Sequence, residues 1–429
     1  MEAFVIEGGL ALHGEIEVHG AKNAALPILA ATILVRGEME LVDVPDLLDV
    51  RVMMDILRAL GVQVVREGHR LYVNTETLDT NIVPEHLMSQ MRSSIFLLGP
   101  LVSRTGEAVV SYPGGCSIGQ RPIDMHISSL KKMGVTIHEY GGTLVAEAHR
   151  LRGAHIVLDF PSVGTTENIL MAAAFAEGRT IITNAAREPE IQDLARFLTS
   201  LGARIHGAGT HRIVIEGVTR PAHVRLTHRV IPDRIEAGTF LAAGAMTGGD
   251  IFIRGVVVEH MEAVIEAFQQ SGTIISQDQG GLRVIGRRPI LPLHKVMTSP
   301  HPGFPTDMQA QLMAHLTLAE GTSIIVETVF DGRFRHVPEL VKMGADIVVD
   351  YHTAVIRGVQ HLEGARVKAT DLRAGAALVL AGLSAEGTTT VIHPHHIDRG
   401  YETLEVSLAA LGARISRERV ATILQGERN

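Results

Sequence analysis

Two glycines recur in step six times along this chain of 429 residues, and no other feature of the sequence restricts the fold as strongly. The later one closes the segments LRALGVQV, LKKMGVTI, LTSLGARI, FQQSGTII, LVKMGADI and LAALGARI, at Gly61, Gly134, Gly202, Gly272, Gly344 and Gly412, spaced 68 to 73 residues apart. The earlier one, at Gly37, Gly106, Gly178, Gly249, Gly321 and Gly387, precedes its partner by 23 to 28 residues. Self-similarity at a fixed period marks one supersecondary unit copied along the chain, each copy needing its neighbours to bury an apolar face.

The contents of a unit follow from periodicity. Before the first glycine stands a helix of small apolar residues, such as NAALPILAATIL or AGAALVLAGLSA, apolar nearly all round and therefore expected in the interior. A short strand follows that glycine, then an amphipathic helix ending on the later glycine, where a left-handed cap is expected. A hairpin-like pair completes the unit, as in ARIHGAGTHRIVIEGV. Each unit thus reads helix, strand, helix, strand, strand, and three per domain is the economical division. The segment 218–234, VTRPAHVRLTHRVIPDR, has the proline and basic character of a crossing between domains.

Composition narrows the partners. The formal net charge is -8 and no block of Lys and Arg occurs, so neither nucleic acid nor a membrane surface finds a basic patch to neutralise it. With no Trp and 4% aromatic residues, stacking on bases is not a theme. The single cysteine, Cys116, excludes an internal disulfide, and the N-terminal segment lacks the basic start and apolar stretch of a secretory signal, so the cytoplasm is expected. No G-x-G-x-x-G or P-loop spacing is present. The run His393, His395, His396 lacks the helical spacing or cysteine partners of a metal site and is expected to play a structural part.

Charged and small polar residues gather at the entrances to the two helices of each unit. The first entrances hold Lys22 and Asn23, Arg92, Ser162 to Gly164, Asp233 with Arg234, Asp307, and Asp371 with Arg373; the second hold Cys116 with Arg121, Arg333 and Arg399. Unpaired N–H groups at helix starts suit phosphate and carboxylate. For any one residue, capping or surface solvation is the commoner role. The entrances nonetheless carry different charges at matched positions, which is what a composite, asymmetric site requires.

At these residues the chain resembles the UDP-N-acetylglucosamine 1-carboxyvinyltransferases, the MurA-type enolpyruvyl transferases of bacterial cell-wall synthesis. The likeness covers essentially the whole length, through GAKNAALPILAA, PGGCSIGQRPIDMHI, SVGTTENILMAAA, NAAREPEIQDLA, IPDRIEAGTFLAA, HPGFPTDMQAQ, ETVFDGRFRHVPEL, TDLRAGAALVLAGL and HIDRGYE. It implies an α/β fold of two inside-out barrels, three repeats each, with the active site in the cleft between them. It also implies that the first strand, about residues 1–21, joins the C-terminal domain, giving one domain of 1–21 plus 231–429 and another of 22–230.

The resemblance implies transfer of the enolpyruvyl group of phosphoenolpyruvate to the 3-hydroxyl of UDP-N-acetylglucosamine, with release of phosphate through a tetrahedral addition intermediate and no metal or organic cofactor. Two opposite protonic roles follow: Asp307 matches the general base beside the sugar hydroxyl, and Cys116 the general acid toward the methylene carbon. The family's cysteine can also attack C2, and Arg121 nearby favours its thiolate. The setting of Cys116, between PGG and SIGQRP, is that of a mobile loop and not of a buried filler. Lys22, Arg121 and Arg399 match the cations that hold phosphoenolpyruvate, with Asn23 orienting the reacting groups. Matched positions for the nucleotide sugar are Arg92, Arg121, Pro122, Ile123, Asp124, Met125, Ser162, Val163, Gly164, Asp307 and Val329. The family more often has Val and Leu where Ile123 and Met125 stand, an exchange that keeps the apolar character. Asp49, Asp233, Asp371, Arg333 and Arg373 also fit polar family positions, with an orienting or hinge role as expected as direct chemistry. The shikimate-type enolpyruvyl transferase lacks the loop cysteine, and a non-catalytic nucleotide-sugar-binding relative would have no need of Lys22, Cys116, Asp307 and Arg399 together.

Overall fold

The computed structural model describes residues 1–114 and 123–420. All six later glycines have positive φ, between 87° and 102°, a backbone region that a Cβ disfavours, so the repeat is written into the chain as a series of left-handed helix stops. Among the described residues the units close six small sheets, five of four strands and one of three.

The apolar helices lie inside. Helix Lys22–Thr32 packs on Pro189–Ser200, Leu98–Thr105 on Val163–Ala173, and Gln309–Leu316 and Arg234–Thr247 both on Leu372–Ser384. Alanine and glycine let these cylinders approach closely, while the sheets form the outer layer. The buried apolar side chains fall into two clusters: one runs from Ala21 to Val230, the other takes Phe4 to Val18 and then Ile235 to Ala413.

The repeat carries an element that the glycine pattern does not show. Short strands also precede the first helix: His155–Val157, Val296–Met297 and Arg366–Lys368 each lie parallel to the strand that follows that helix. At two units this strand is exchanged. His13–Glu17 precedes helix Lys22–Thr32 but pairs with Asp250–Arg254 of the fourth unit, whereas Val224–Arg229 precedes the fourth unit's helix but pairs with Gly37–Val42 of the first. Residues 218–234 are therefore partly strand, not only a connector. The N-terminal strand Glu2–Glu7 lies antiparallel between Thr388–Ile392 and Arg414–Arg419, filling the centre of the last unit's sheet. In the second unit the inner helix is split into a 3-10 turn, Arg92–Leu97, and Leu98–Thr105, because Pro100 offers no N–H to a continuous ladder.

The two chain crossings run side by side. Gly20 bridges Pro232 antiparallel, Ala21 N–H donates to the Ile231 carbonyl at 2.6 Å, and Asp233 N–H donates to the His19 carbonyl at 2.8 Å. Gly20 has no substitute here, since a Cβ would stand 1.7 Å from the Asp43 carbonyl oxygen. Among the described residues no helix is long and apolar enough to cross a membrane.

Candidate active site

Lys22 begins its helix directly after the first crossing. Lys22 is 8% exposed, and its Nζ donates to Asp49 Oδ2 at 3.2 Å. Arg399, at the end of the 3-10 turn Pro394–Arg399 in the other core, donates through Nε to Asp49 Oδ1 at 2.8 Å. One carboxylate, 3% exposed, thus joins cations from the two apolar cores. Burial pushes the Lys22 pKa down, with Arg373 and Arg399 adding to that and Asp49 opposing it. Burial alone would raise Asp49, but Lys22 and Arg399 outweigh it and hold its carboxyl below the ordinary range. A phosphate or carboxylate group placed here would meet the same two donors that Asp49 holds.

Asp307 sits in the 3-10 turn Thr306–Met308 at the mouth of helix Gln309–Leu316. Arg333 Nη2 donates to its Oδ1, and Arg373 Nη2 to its Oδ2 at 3.3 Å. Both guanidiniums are buried, while the Asp307 side chain keeps 26% of its surface open. Asp307, Arg373 and Arg399 all act electrostatically on Lys22, so residues from three units share one polar centre. Arg333 and Arg373, for which an orienting or hinge role is as expected as direct chemistry, are direct partners of Asp307. Asp233 and Asp371 take the capping role: Asp233 Oδ1 accepts from the N–H groups of Ile235 and Glu236, and Asp371 Oδ1 from those of Arg373 and Ala374. Asp233 Oδ2 also accepts from the Lys22 N–H at 3.3 Å, which ties the starts of two helices across the crossing. Asn23 is half-buried in the first turn after Lys22.

A second group lies around helix Val163–Ala173. Ser162 Oγ accepts from the Thr165 N–H as its cap, and Gly164 faces Phe96 and His126 so closely that a Cβ would meet them at 3.1 and 3.4 Å. His126 is held neutral, its pKa pushed down to about 3 by burial and by Arg92. Arg92, Ser162, Val163 and Gly164 are therefore neighbours through His126, with Ile123 buried and Asp124 and Met125 opening helix Asp124–Lys132. Val329 belongs to the Asp307 side of the molecule. Cys116, Arg121 and Pro122 lie outside the described residues.

Glu327 escaped the reading of the sequence. Its buried carboxylate accepts from the hydroxyls of Thr298 and Thr306 at 2.9 Å each and from the Val329 N–H at 2.8 Å. It thereby fixes the turn that presents Asp307 together with the one that presents Val329. Its only sequence signal was a charge directly after the apolar strand residues of SIIVETVF. His393 caps the turn that carries Arg399, in a left-handed conformation, and the rings of His395 and His396 lie tilted at 40° with centroids 4.2 Å apart.

Glu167, in the same inner helix as Gly164, has both carboxylate oxygens buried without a hydrogen-bond partner among the described residues. Burial, reinforced by Glu190 and Glu188, raises its pKa well above the usual value. Because the folded value exceeds the unfolded one, its contribution to stability is complete below the ordinary carboxylate range and is lost as pH rises toward the raised value. Glu167→Gln should therefore match the parent near pH 4 and exceed it in Tm by about 2–4 °C at neutral pH, in thermal melts across that range. A gap that stayed constant with pH would place the proton elsewhere.

Comparison with known proteins agrees over the whole chain. Residues 6–408 match the family described as EPSP synthase (3-phosphoshikimate 1-carboxyvinyltransferase). The UDP-N-acetylglucosamine 1-carboxyvinyltransferase of Anaeromyxobacter dehalogenans strain 2CP-C is 52% identical over 424 residues, 98% of this chain and 100% of that one. The protein of the same name from Myxococcus xanthus is 49% identical, with the same coverage. Among solved structures, the enolpyruvyl transferase NikO from Streptomyces tendae superimposes with a TM-score of 0.89 at 27% identity, over 97% of this chain and 98% of that one. An EPSP synthase from Acinetobacter baumannii, at 19% identity and a TM-score of 0.77, shares the fold. Matched at about half of all positions from end to end, and built as the solved enolpyruvyl transferases are, the chain belongs to the UDP-N-acetylglucosamine 1-carboxyvinyltransferase family.

Proposed function

We propose that this protein transfers the enolpyruvyl group of phosphoenolpyruvate to the 3-hydroxyl of UDP-N-acetylglucosamine and releases phosphate, the committed step toward peptidoglycan precursors. The observation that carries the reading is the junction of Lys22 and Arg399, from opposite cores, on one buried carboxylate beside the arginine-flanked Asp307.

Lys22 and Arg399, with Arg121, hold the phosphate and carboxylate of phosphoenolpyruvate. Arg92, Pro122, Ile123, Asp124, Met125, Ser162, Val163, Gly164 and Val329 receive the nucleotide sugar. Asp307 takes the proton of the 3-hydroxyl as its oxygen adds to C2, while Cys116 delivers a proton to the methylene carbon. Elimination then removes a proton from that carbon and breaks the C2–phosphate bond. Asn23 orients the reacting groups. Residues 1–21 plus 231–429 and residues 22–230 are the two domains that close on the substrates and exclude water. The reaction needs no metal or organic cofactor, and its setting is the cytoplasm.

Two measurements test this. Phosphate release should require both phosphoenolpyruvate and UDP-N-acetylglucosamine; release with shikimate 3-phosphate instead would assign the other acceptor, and nucleotide-sugar binding without release would mark a non-catalytic relative. Mass spectrometry after incubation with fosfomycin and UDP-N-acetylglucosamine should show one adduct on the parent and none on Cys116→Ser. An adduct that survives in the serine variant refutes the assignment of Cys116.

A further inference from the structure

Beside the paired crossings, three residues distant in sequence face one another. His19 lies in the first crossing, His69 in the turn between strands Gln63–Glu67 and Arg70–Asn74, and Glu402 three residues beyond Arg399. One ring nitrogen of each imidazole and one Glu402 oxygen lie within 4.8 Å of one another. His69 Nε2 is 3.0 Å from Glu402 Oε1. Two donors that each stand about 2.1 Å from a common ion are about 3.0–3.4 Å apart at octahedral or tetrahedral angles, so this pair already has the spacing of adjacent ligands.

The donors are also held from behind. His19 donates through Nδ1 to Glu236 Oε1 at 2.9 Å and through its backbone N–H to Glu236 Oε2 at 2.7 Å, which leaves Nε2 as the nitrogen able to offer a lone pair. Glu402 Oε2 accepts from the Asp46 N–H at 2.7 Å. A carboxylate behind a ligating imidazole, and a hydrogen bond behind a ligating carboxylate, are the usual supports of a transition-metal site. Two imidazoles and one carboxylate suit Zn2+ and its neighbours and not Mg2+ or Ca2+, which prefer oxygen.

We propose that His19, His69 and Glu402 form a binding site for a divalent first-row transition ion of the Zn2+ class, which ties the two apolar cores together beside their crossing. The site is separate from the anion-binding junction, and no step of enolpyruvyl transfer passes through it. A bound ion clamps the segment three residues before Lys22 to the segment three residues after Arg399. The hydrogen bond to Glu236 pushes the His19 pKa up to about 9 against burial, with Glu236, Glu402 and Asp233 as the facing carboxylates. The ion thus competes with a proton on Nε2.

The test is a titration with Co2+, read by its visible absorption, at about pH 8 and in a Cys116→Ser background that removes the thiol. One ion per chain should bind, and its affinity should fall at least 10-fold in His69→Ala and in Glu402→Gln while staying unchanged in His395→Ala. His69 is exposed in a hairpin turn, so its truncation leaves the fold intact, which melts in chelator verify. Absence of binding up to about 1 mM Co2+, or binding that His69→Ala leaves unchanged, overturns the proposal.

Discussion

Replacing Asp307 by Asn should lower the rate of phosphate release by about 10²–10⁴-fold, the usual contribution of a positioned general base. Asn keeps the length of the side chain and one acceptor oxygen, so the turn Thr306–Met308, held independently by Glu327 through Thr306, stays in place. The lost property is the ability to take a proton. Arg333 and Arg373 lose a charged partner in the same substitution, and both are buried, so some stability goes with it. The two effects separate by measurement. Calorimetric titration with UDP-N-acetylglucosamine should show binding within about 10-fold of the parent, and melts should show a folded protein at the assay temperature, while single-turnover chemistry collapses. A variant that turned over within about 10-fold of the parent would leave Asp307 only the task of holding two arginines, and the base would have to be sought elsewhere.

The repeat was legible because it rests on backbone geometry that few residues tolerate. Gly61, Gly134, Gly202, Gly272, Gly344 and Gly412 all stand at positive φ, so the letters of the sequence record the ends of six helices directly. The inner helices were legible for a similar reason, since a segment such as NAALPILAATIL has no polar face to offer water. The short parallel strands were not. Val296–Met297 spans two residues and Arg366–Lys368 three, too few for alternation to rise above chance, and their partners are set by the helix between them. The exchange of His13–Glu17 and Val224–Arg229 between the first and fourth units is a long-range choice that local pattern cannot encode.

At the site, the entrances identified Lys22, Asp307 and Arg399 as residues to watch, and the structure gathers them around one polar centre. The pairing was hidden. Nothing in TDLRAG or FDGRFRH tells which carboxylate an arginine faces, because Asp307 lies 26 residues before Arg333 in the same unit and 66 before Arg373 in the next. The same limit hid His19 and His69, which are unremarkable as single letters in EVHG and EGHR and gain meaning only when the crossing brings them to Glu402.

Asp49→Asn should have the largest effect on stability. Asp49 is 3% exposed and stands between Lys22 and Arg399, so neutralising it leaves two cations from opposite cores facing each other in a largely dry space. Breaking a buried charge pair on one side costs about 3–5 kcal/mol, which corresponds to a fall in Tm on the order of 10 °C. The sign with pH agrees: the Asp49 carboxyl is held below its ordinary value, so its contribution is present at neutral pH and is lost in the parent as pH falls through the depressed value. The variant should therefore differ least from the parent in acid. It should also respond more strongly to anions, because a bound phosphate group supplies the charge that Asn lacks, whereas in the parent the same group competes with Asp49 for its donors. Saturation to about 100 times the dissociation constant returns about 2.7 kcal/mol, enough to recover much of the deficit. Melts of both proteins across a titration of inorganic phosphate and then phosphoenolpyruvate read this directly: the two curves should converge as the anion is added. Parallel curves, or an unchanged Tm for Asp49→Asn in its absence, would mean that Lys22 and Arg399 are held apart by some other counter-charge and that the substrate's anionic groups do not take the place of this carboxylate.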